Sequence, residues 1–310
     1  MLAFVFPGQG SQKVGMGKAL AMAHAVVRDT LAEADAALGE PLSHLCFEGP
    51  EDRLVLTEYT QPAILAVSVA MCRLLRQRGL DPDFVAGHSL GEYSAHVAAG
   101  TLSFADALAI VRRRGRYMQE AVPVGTGAMA AILGLDATKV AQACREAADG
   151  EVVRPANLNA PGQVVIAGTA AAVERAGDRA RALGARRVVP LHVSAPFHCP
   201  LMRPAEDRLA PELRALAASN PRVPVVANVD AEPKCDARSA IDALVAQVTR
   251  PVRWEDSVRR LASEGVRTYV EVGPGTVLSG LVKKTHHEAD VFNVDHHLGH
   301  RAMEALFAVS

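Results

Sequence analysis

The chain alternates short apolar runs with longer stretches in which apolar residues recur at helical spacing. Because parallel strands are buried on both faces and are connected through helices, this alternation predicts an α/β architecture. The apolar runs predict strands at 2–6, 84–87, 223–229 and 268–272. The amphipathic stretches predict helices at 18–38, 61–78, 90–99, 104–120, 239–247 and 254–263.

The middle of the chain follows a different order, after a Pro- and Gly-rich break at 123–127. Strands are predicted at 128–133, 152–157, 163–167 and 187–193, and helices at 137–148 and 170–183. This βαββαβ order is typical of a ferredoxin-like unit. We therefore expect a large α/β subdomain formed by 1–123 and 196–310, a small ferredoxin-like subdomain at 124–195, and an active site in the cleft between them.

Composition and charge exclude several classes of protein. The 310 residues carry 33 Lys and Arg against 34 Asp and Glu, so the chain lacks the basic excess of a nucleic-acid-binding protein. The apolar stretch at 61–72 is too short to span a bilayer, and the first residues lack the basic region of a signal peptide. The five cysteines are scattered without a C-x-x-C pair, which disfavours a disulfide scaffold or a zinc ribbon and indicates the cytoplasm.

A candidate nucleophile lies in the sequence Gly-His-Ser-Leu-Gly at 87–91. It matches G-x-S-x-G, with a predicted strand before it and a predicted helix after it, as in a nucleophile elbow. Glycines on either side of the serine let the strand and the helix approach closely, and the helix N-terminus favours developing negative charge. Ser89 is therefore the predicted nucleophile, although a tight turn with a capping serine would show the same pattern.

A serine nucleophile needs a base, and His198 is the best candidate among 11 histidines. It follows the last strand of the small subdomain, between Pro196 and Pro200, which stiffen the loop. His88 adjoins the serine and is expected to point away from it. Cys199 as a thiol nucleophile is the weaker alternative, because sequence neighbours rarely face each other.

The loop after the first strand, residues 7–12, is neither a dinucleotide-binding G-x-G-x-x-G motif nor a P-loop. It can turn a backbone N–H towards the serine. We predict that the N–H groups of Gln9 and Leu90 form an oxyanion hole.

Five segments together resemble the malonyl-CoA:acyl carrier protein transacylases and the related acyltransferase domains of fatty acid and polyketide synthases. They lie in order over nearly the whole chain, at 4–12 (FVFPGQGSQ), 87–92 (GHSLGE), 119–123 (QEAVP), 161–168 (PGQVVIAG) and 271–275 (EVGPG). The resemblance implies an α/β-hydrolase-like large subdomain with a ferredoxin-like insertion.

The resemblance also implies a ping-pong reaction in fatty acid biosynthesis. Ser89 would take the malonyl group from malonyl-CoA, release CoA, and pass the group to the phosphopantetheine thiol of acyl carrier protein, with His198 as the base. No cofactor or metal of its own is implied, because the partner carries the phosphopantetheine. The expected partners are acyl carrier protein and malonyl-CoA, with no nucleic acid and no membrane.

Motif matching implies further roles. Arg114 would pair with the malonyl carboxylate, and a planar guanidinium suits that anion. The backbone carbonyl of Gln247 would orient His198, which explains why no catalytic Asp stands out. Asn159 and Phe197 are possible substrate contacts, and Phe197 would close the space that a methylmalonyl group needs.

Three other interpretations remain open at this stage. A serine hydrolase or thioesterase would share the elbow and the base but would not need Arg114. An acyltransferase of a polyketide pathway would share the whole motif set. A carrier-docking module without catalytic activity is disfavoured by the intact Ser89, His198 and Arg114. Histidines at 286, 287, 296, 297 and 300 fit no standard metal-site spacing.

Overall fold

The structure, a computed structural model, describes residues 1–123, 125–191 and 193–297. Its strands are β1 (Leu2–Phe6), β2 (Phe84–Gly87), β3 (Gly127–Leu133), β4 (Val153–Ala160), β5 (Gln163–Thr169), β6 (Arg187–Pro190), β7 (Val225–Val226), β8 (Pro233–Lys234), β9 (Thr268–Glu271) and β10 (Asp290–Asn293). Its helices are α1 (Lys18–Ala23), α2 (Ala25–Leu38), α3 (Leu42–Glu48), α4 (Glu51–Leu54), α5 (Thr57–Gln77), α6 (Leu90–Ala99), α7 (Phe104–Glu120), α8 (Ala137–Ala147), α9 (Ala170–Ala182), α10 (Arg203–Arg214), α11 (Ala237–Gln247), α12 (Trp254–Ser263), α13 (Val277–Thr285) and α14 (Val294–His297), with a 3₁₀ turn at Pro200–Met202.

Within the described ranges, six strands form the larger sheet in the order β10-β9-β1-β2-β7-β8. All of its pairs are parallel except that of β7 with the edge strand β8. The central strand β1 is continuously apolar from Ala3 to Phe6, and these residues are fully buried, as expected where helices cover both faces. Ser89 follows β2, so it lies at the carboxyl end of a central strand.

The second sheet is antiparallel, and its strand order among the described residues is β4-β5-β3-β6. With α8 and α9, these strands follow the βαββαβ order of a ferredoxin-like unit. The predicted fold class, a parallel α/β body with a separate antiparallel unit, is confirmed. The subdomain boundaries at 123/124 and 195/196 stay a prediction, and residues 124, 192 and 298–310 lie outside the described residues.

Backbone hydrogen bonds join β4 of the antiparallel sheet to the segment of the large body that precedes α12. The N–H of Leu158 in β4 donates to the carbonyl of Val252 at 2.8 Å, and the N–H of Val252 donates to the carbonyl of Ala156 at 2.8 Å. Val252 lies just before α12 and just after Gln247 in α11. The ferredoxin-like unit is therefore tied to the same segment of the large body that supplies a predicted site residue.

Several predicted elements were wrong in extent. The helix predicted at 18–38 is two helices, because His24 takes an extended conformation, φ −131° and ψ 120°, between α1 and α2. The strand predicted at 223–229 pairs only at Val225–Val226, and the one predicted at 187–193 ends at Pro190.

Some helices were missed altogether. The helix α13 follows the turn-like Gly-Pro-Gly at 273–275, and its first turn is stabilised by a side chain outside the helix. The buried carboxylate of Glu271 accepts from the N–H groups of Leu278 and Ser279 at 3.0 and 2.8 Å. Because the capping residue lies in the preceding strand and not at the N-cap position, the sequence at the start of the helix shows no capping signal. None of the helices in the part of the chain that the structure describes is long and apolar enough to cross a bilayer.

Candidate active site

The serine elbow is a strained turn between β2 and α6. Ser89 has φ 52° and ψ −106°, an unusual conformation for a residue with a side chain. A Cβ atom at Gly87 would lie 1.9 Å from the carbonyl carbon of Gly91, and one at Gly91 would lie 2.0 Å from the carbonyl oxygen of Phe6. Only glycine fits at both positions, so the motif's glycines let strand and helix approach closely enough to present the serine.

Replacing Gly91 by alanine is expected to destabilise the protein, because the new methyl group meets rigid backbone of β1. The cost should reach the upper end of the range for overpacking, about 1–3 kcal/mol, or exceed it. Gly280→Ala is the matched control: this glycine is also helical, and a Cβ there meets no atom within 4 Å. It should stabilise α13 slightly, by up to about 1 kcal/mol. Denaturant unfolding of both variants checks this, and equal stabilities would contradict the close-approach argument.

The structure brings Ser89 and His198 together from segments 109 positions apart. His198 Nε2 lies 2.7 Å from Ser89 Oγ, and His198 Nδ1 lies 2.9 Å from the backbone carbonyl oxygen of Gln247. Since a carbonyl can only accept, the Nδ1 nitrogen carries the proton and Nε2 is free to accept from the serine hydroxyl. The arrangement is a serine–histidine dyad oriented by a backbone carbonyl.

Arg114 on α7 completes the polar cluster around the serine. Its side chain is 1% exposed. Nη2 donates to Ser89 Oγ at 3.1 Å and to Gln247 Oε1 at 2.8 Å, and Nη1 donates to Gln61 Oε1 at 2.9 Å. All three hydrogen-bond acceptors are neutral, so this guanidinium is a buried cation without a directly bonded carboxylate.

Burial and charge both act on the base. Desolvation, followed by the positive charge of Arg114, lowers the pKa of His198 to about 3. Desolvation also lowers the pKa of Arg114, while the nearby Tyr93 and Glu92 raise it. His198 is therefore neutral at physiological pH, which is the protonation state that a general base requires.

The neutral state of His198 predicts a specific titration behaviour. Because the folded-state pKa is lowered well below 6.5, the ring should stay uncharged as the pH falls from 8 to 5. Nitrogen-15 NMR of the imidazole, assigned by loss of the signal in His198→Ala, should show one neutral tautomer over this range. A titration midpoint near 6.5 would contradict the predicted burial of the base.

A cavity of about 280 Å³ opens onto this cluster. Its lining includes six predicted site residues, all from the large α/β body: Gln9, Ser89, Leu90, Arg114, Phe197 and His198. The Gln9 side chain donates to Thr57 Oγ1 at 3.2 Å, which anchors the loop that carries the predicted oxyanion donor. The structure thus brings the two predicted donor residues to the same cavity as the serine.

Asn159 lies outside this lining. Asn159 Oδ1 is 2.8 Å from His88 Nε2, so Asn159 positions His88, the residue before the nucleophile. Asn157, two positions earlier on β4, lines the cavity instead. The catalytic and binding roles assigned to the site residues stay predictions, but their positions relative to Ser89 are now defined.

The chain matches the family model described as the acyl transferase domain over residues 3–307. It belongs to this acyl transferase family. It is 55% identical over 283 residues to the malonyl CoA-acyl carrier protein transacylase of Salmonella typhimurium, covering 91% of this chain and 92% of the relative.

Solved structures of similar proteins agree over all or nearly all of the chain. An acyl carrier protein S-malonyltransferase from Vibrio cholerae superposes with a TM-score of 0.95 at 49% identity, covering 100% of this chain and 99% of that one. A malonyl-transacylase in complex with a type II PKS acyl-carrier protein superposes with a TM-score of 0.93 at 49% identity, covering 95% and 96% of the two chains.

Sequence reasoning assigned no role to two residues of this acyl transferase site. Asn228, after β7, accepts from the Ser89 N–H at 2.7 Å and donates to the Gly87 carbonyl at 2.7 Å, so it clamps the elbow. Glu92 on α6 is fully buried and accepts from Gln247 Nε2 at 2.7 Å. The sequence does contain one signal for Glu92: it is an ionisable residue in the first turn of an otherwise apolar, Ala-rich helix.

Only part of the histidine-rich end of the chain lies within the described residues. Within the described ranges, no group of three or more His, Cys, Asp or Glu side chains could hold a metal ion. His286 Nδ1 lies 3.2 Å from the Tyr269 hydroxyl. His300 and the side chains of His296 and His297 lie outside the described residues.

Proposed function

We propose that this protein transfers the malonyl group from malonyl-CoA to the phosphopantetheine thiol of acyl carrier protein through a malonyl ester on Ser89. One observation carries the proposal: Ser89 Oγ lies 2.7 Å from a neutral base, His198 Nε2, and 3.1 Å from a buried cation, Arg114 Nη2. The base activates the serine for acyl transfer, and the cation selects an acyl group that carries its own carboxylate. The names of the relatives support both the reaction and the partner.

In the first half-reaction, His198 Nε2 takes the proton of the Ser89 hydroxyl as Oγ attacks the thioester carbonyl carbon. The carbonyl oxygen becomes an oxyanion, which the N–H groups of Gln9 and Leu90 stabilise. The carbon–sulfur bond then breaks. The departing CoA sulfur takes the proton from His198, and malonyl-Ser89 remains.

The second half-reaction runs the same steps with a different thiol. The carrier's phosphopantetheine thiol gives its proton to His198 and attacks the ester carbonyl of malonyl-Ser89. When the carbon–oxygen bond breaks, Ser89 Oγ recovers the proton from His198. The Gln247 carbonyl keeps the imidazole oriented through both steps, because it holds the Nδ1–H at 2.9 Å.

Arg114 is the residue that we propose binds the malonyl carboxylate. A buried cation whose hydrogen-bond partners are all neutral gains most from an arriving anion, and a guanidinium binds a carboxylate bidentately. Pairing would also offset the charge that lowers the His198 pKa, so malonyl binding would make that base stronger at the moment it is needed. Phe197 lines the same cavity and would limit branching of the acyl group.

The decisive experiment compares transfer with hydrolysis. Incubation with malonyl-CoA should add one malonyl group, located on Ser89 by mass spectrometry. Holo acyl carrier protein should then remove it and gain the same mass. Free malonate released at the same rate with and without the carrier would favour a serine hydrolase instead. We propose that the pathway is fatty acid biosynthesis. Comparing the rates of transfer to carriers from fatty acid and polyketide pathways tests this.

We further propose that the enzyme works in the cytoplasm and without a bound cofactor. All five cysteines are free, four of them buried, which suits a reducing compartment. The base, the oxyanion donors and the carboxylate reader are all supplied by the chain itself. Activity that survives exhaustive treatment with a metal chelator would agree with the second point.

A further inference from the structure

The side-chain amide of Gln247 hydrogen-bonds both the backbone of the nucleophile Ser89 and the guanidinium of Arg114. Its Nε2 donates to the Ser89 carbonyl at 2.9 Å and to Glu92 Oε2 at 2.7 Å. Its Oε1 accepts from Arg114 Nη2 at 2.8 Å. The position of the guanidinium therefore depends on which end of this amide faces it.

Glu92 and the Ser89 carbonyl together determine that orientation. A carboxylate and a carbonyl are both acceptors, so the amide group can turn only its NH₂ towards Glu92 and Ser89 and only its oxygen towards Arg114. The carboxylate itself is held by the backbone N–H of Asn228, which donates to Oε2 at 3.0 Å. Its other oxygen, Oε1, is buried and has no hydrogen-bond partner among the described residues.

An incompletely paired buried carboxyl group costs stability, which argues against a purely structural role. Burial raises the pKa of Glu92 to about 7, whereas the hydrogen bonds from Gln247 and Asn228 and then the charge of Arg114 lower it. Asp230 and Tyr93 are the other ionisable groups that interact with it. Arg114 Nε likewise lacks a partner among the residues described. Glu92 and Arg114 are thus two buried ionisable groups that both hydrogen-bond the side-chain amide of Gln247.

We propose that Glu92 is a positioning residue for substrate selection: it orients the Gln247 amide, which in turn holds the Arg114 guanidinium where it reads the malonyl carboxylate. The inference rests on the proposed malonyl transfer. In this proposal Glu92 does not touch the substrate. Its replacement should affect the transfer of malonyl but not that of acetyl.

Glu92→Gln keeps the size of the side chain but can present an NH₂ group to Gln247, which permits the reversed amide. A reversed amide turns its own NH₂ towards Arg114, and two donors then repel. We expect kcat/KM for malonyl-CoA in Ser89 acylation to fall about tenfold or more, and kcat/KM for acetyl-CoA to change much less. Gln247→Ala keeps the backbone carbonyl that orients His198 and should lower the malonyl-to-acetyl ratio in the same way.

The double variant makes the test specific. If Glu92 acts through Gln247, Glu92→Gln with Gln247→Ala should lower the ratio no further than the larger single loss. Glu212→Gln is the control: its carboxylate holds Arg113 and Tyr117 on α7 but does not contact Gln247, and it should leave the ratio unchanged.

Equal losses for both acyl groups in Glu92→Gln, or losses that multiply in the double variant, would overturn the inference. If Glu92→Gln fails to fold, Gln247→Ala decides alone: a lowered ratio supports the role and an unchanged ratio overturns it. Wild-type protein that forms no malonyl-Ser89 would instead refute the proposed function, so the two failures are distinguishable.

Discussion

Ser89→Ala should abolish the acyl-enzyme, and His198→Ala should slow both half-reactions by on the order of 10²-fold or more. The strained elbow presents one hydroxyl to the base, and the same imidazole must take the serine proton and return one to the departing thiol. Rapid-quench measurement of malonyl-Ser89 formation checks the first half-reaction. Single-turnover transfer to the carrier, starting from isolated malonyl-enzyme, checks the second.

Ser263→Ala is the control for the serine. Ser263 is an exposed residue at the end of α12, whose hydroxyl donates to the Arg260 carbonyl at 2.7 Å, and this variant should be acylated normally. Circular dichroism of each variant excludes unfolding as the cause. Acylation of folded His198→Ala at the wild-type rate would refute the assignment of the base.

Arg114→Ala should change which acyl group the enzyme prefers. Removing one partner of a buried charge pair costs about 2–5 kcal/mol, so kcat/KM for malonyl-CoA should fall by about 30-fold or more. Acetyl-CoA leaves the wild-type guanidinium without an anion, so its transfer should fall less or even rise. The ratio of the two kcat/KM values should therefore shift more than either value alone.

The neighbouring helix residue supplies the control for this prediction. Arg113 is about half exposed and pairs with Glu212 at 2.6 Å, away from the buried cluster around Ser89, so Arg113→Ala should keep the wild-type preference. If Arg114→Ala loses the same factor for both substrates, Arg114 supports the fold of the site and another residue reads the carboxylate.

The composition and the local pattern of the chain were sufficient for much of the fold and the chemistry. Buried strands, the elbow and the βαββαβ order leave local signals, because apolar runs, glycine spacing and helical periodicity are properties of neighbouring residues in the sequence. The helices at Phe104–Glu120 and Trp254–Ser263 have the predicted bounds. Ser89 could be identified from the same signals, and Arg114 and Gln247 only through resemblance to a family.

Tertiary structure alone decided which of these groups meet and in what protonation state. The 2.7 Å contact of Ser89 with His198 joins two segments 109 positions apart, and no local pattern encodes such a distance. The clamp of Asn228 on the elbow and the chain from Glu92 through Gln247 to Arg114 are likewise contacts between distant segments. The low pKa of His198 arises from burial and from the charge of Arg114, and both exist only once the chain has folded around the site.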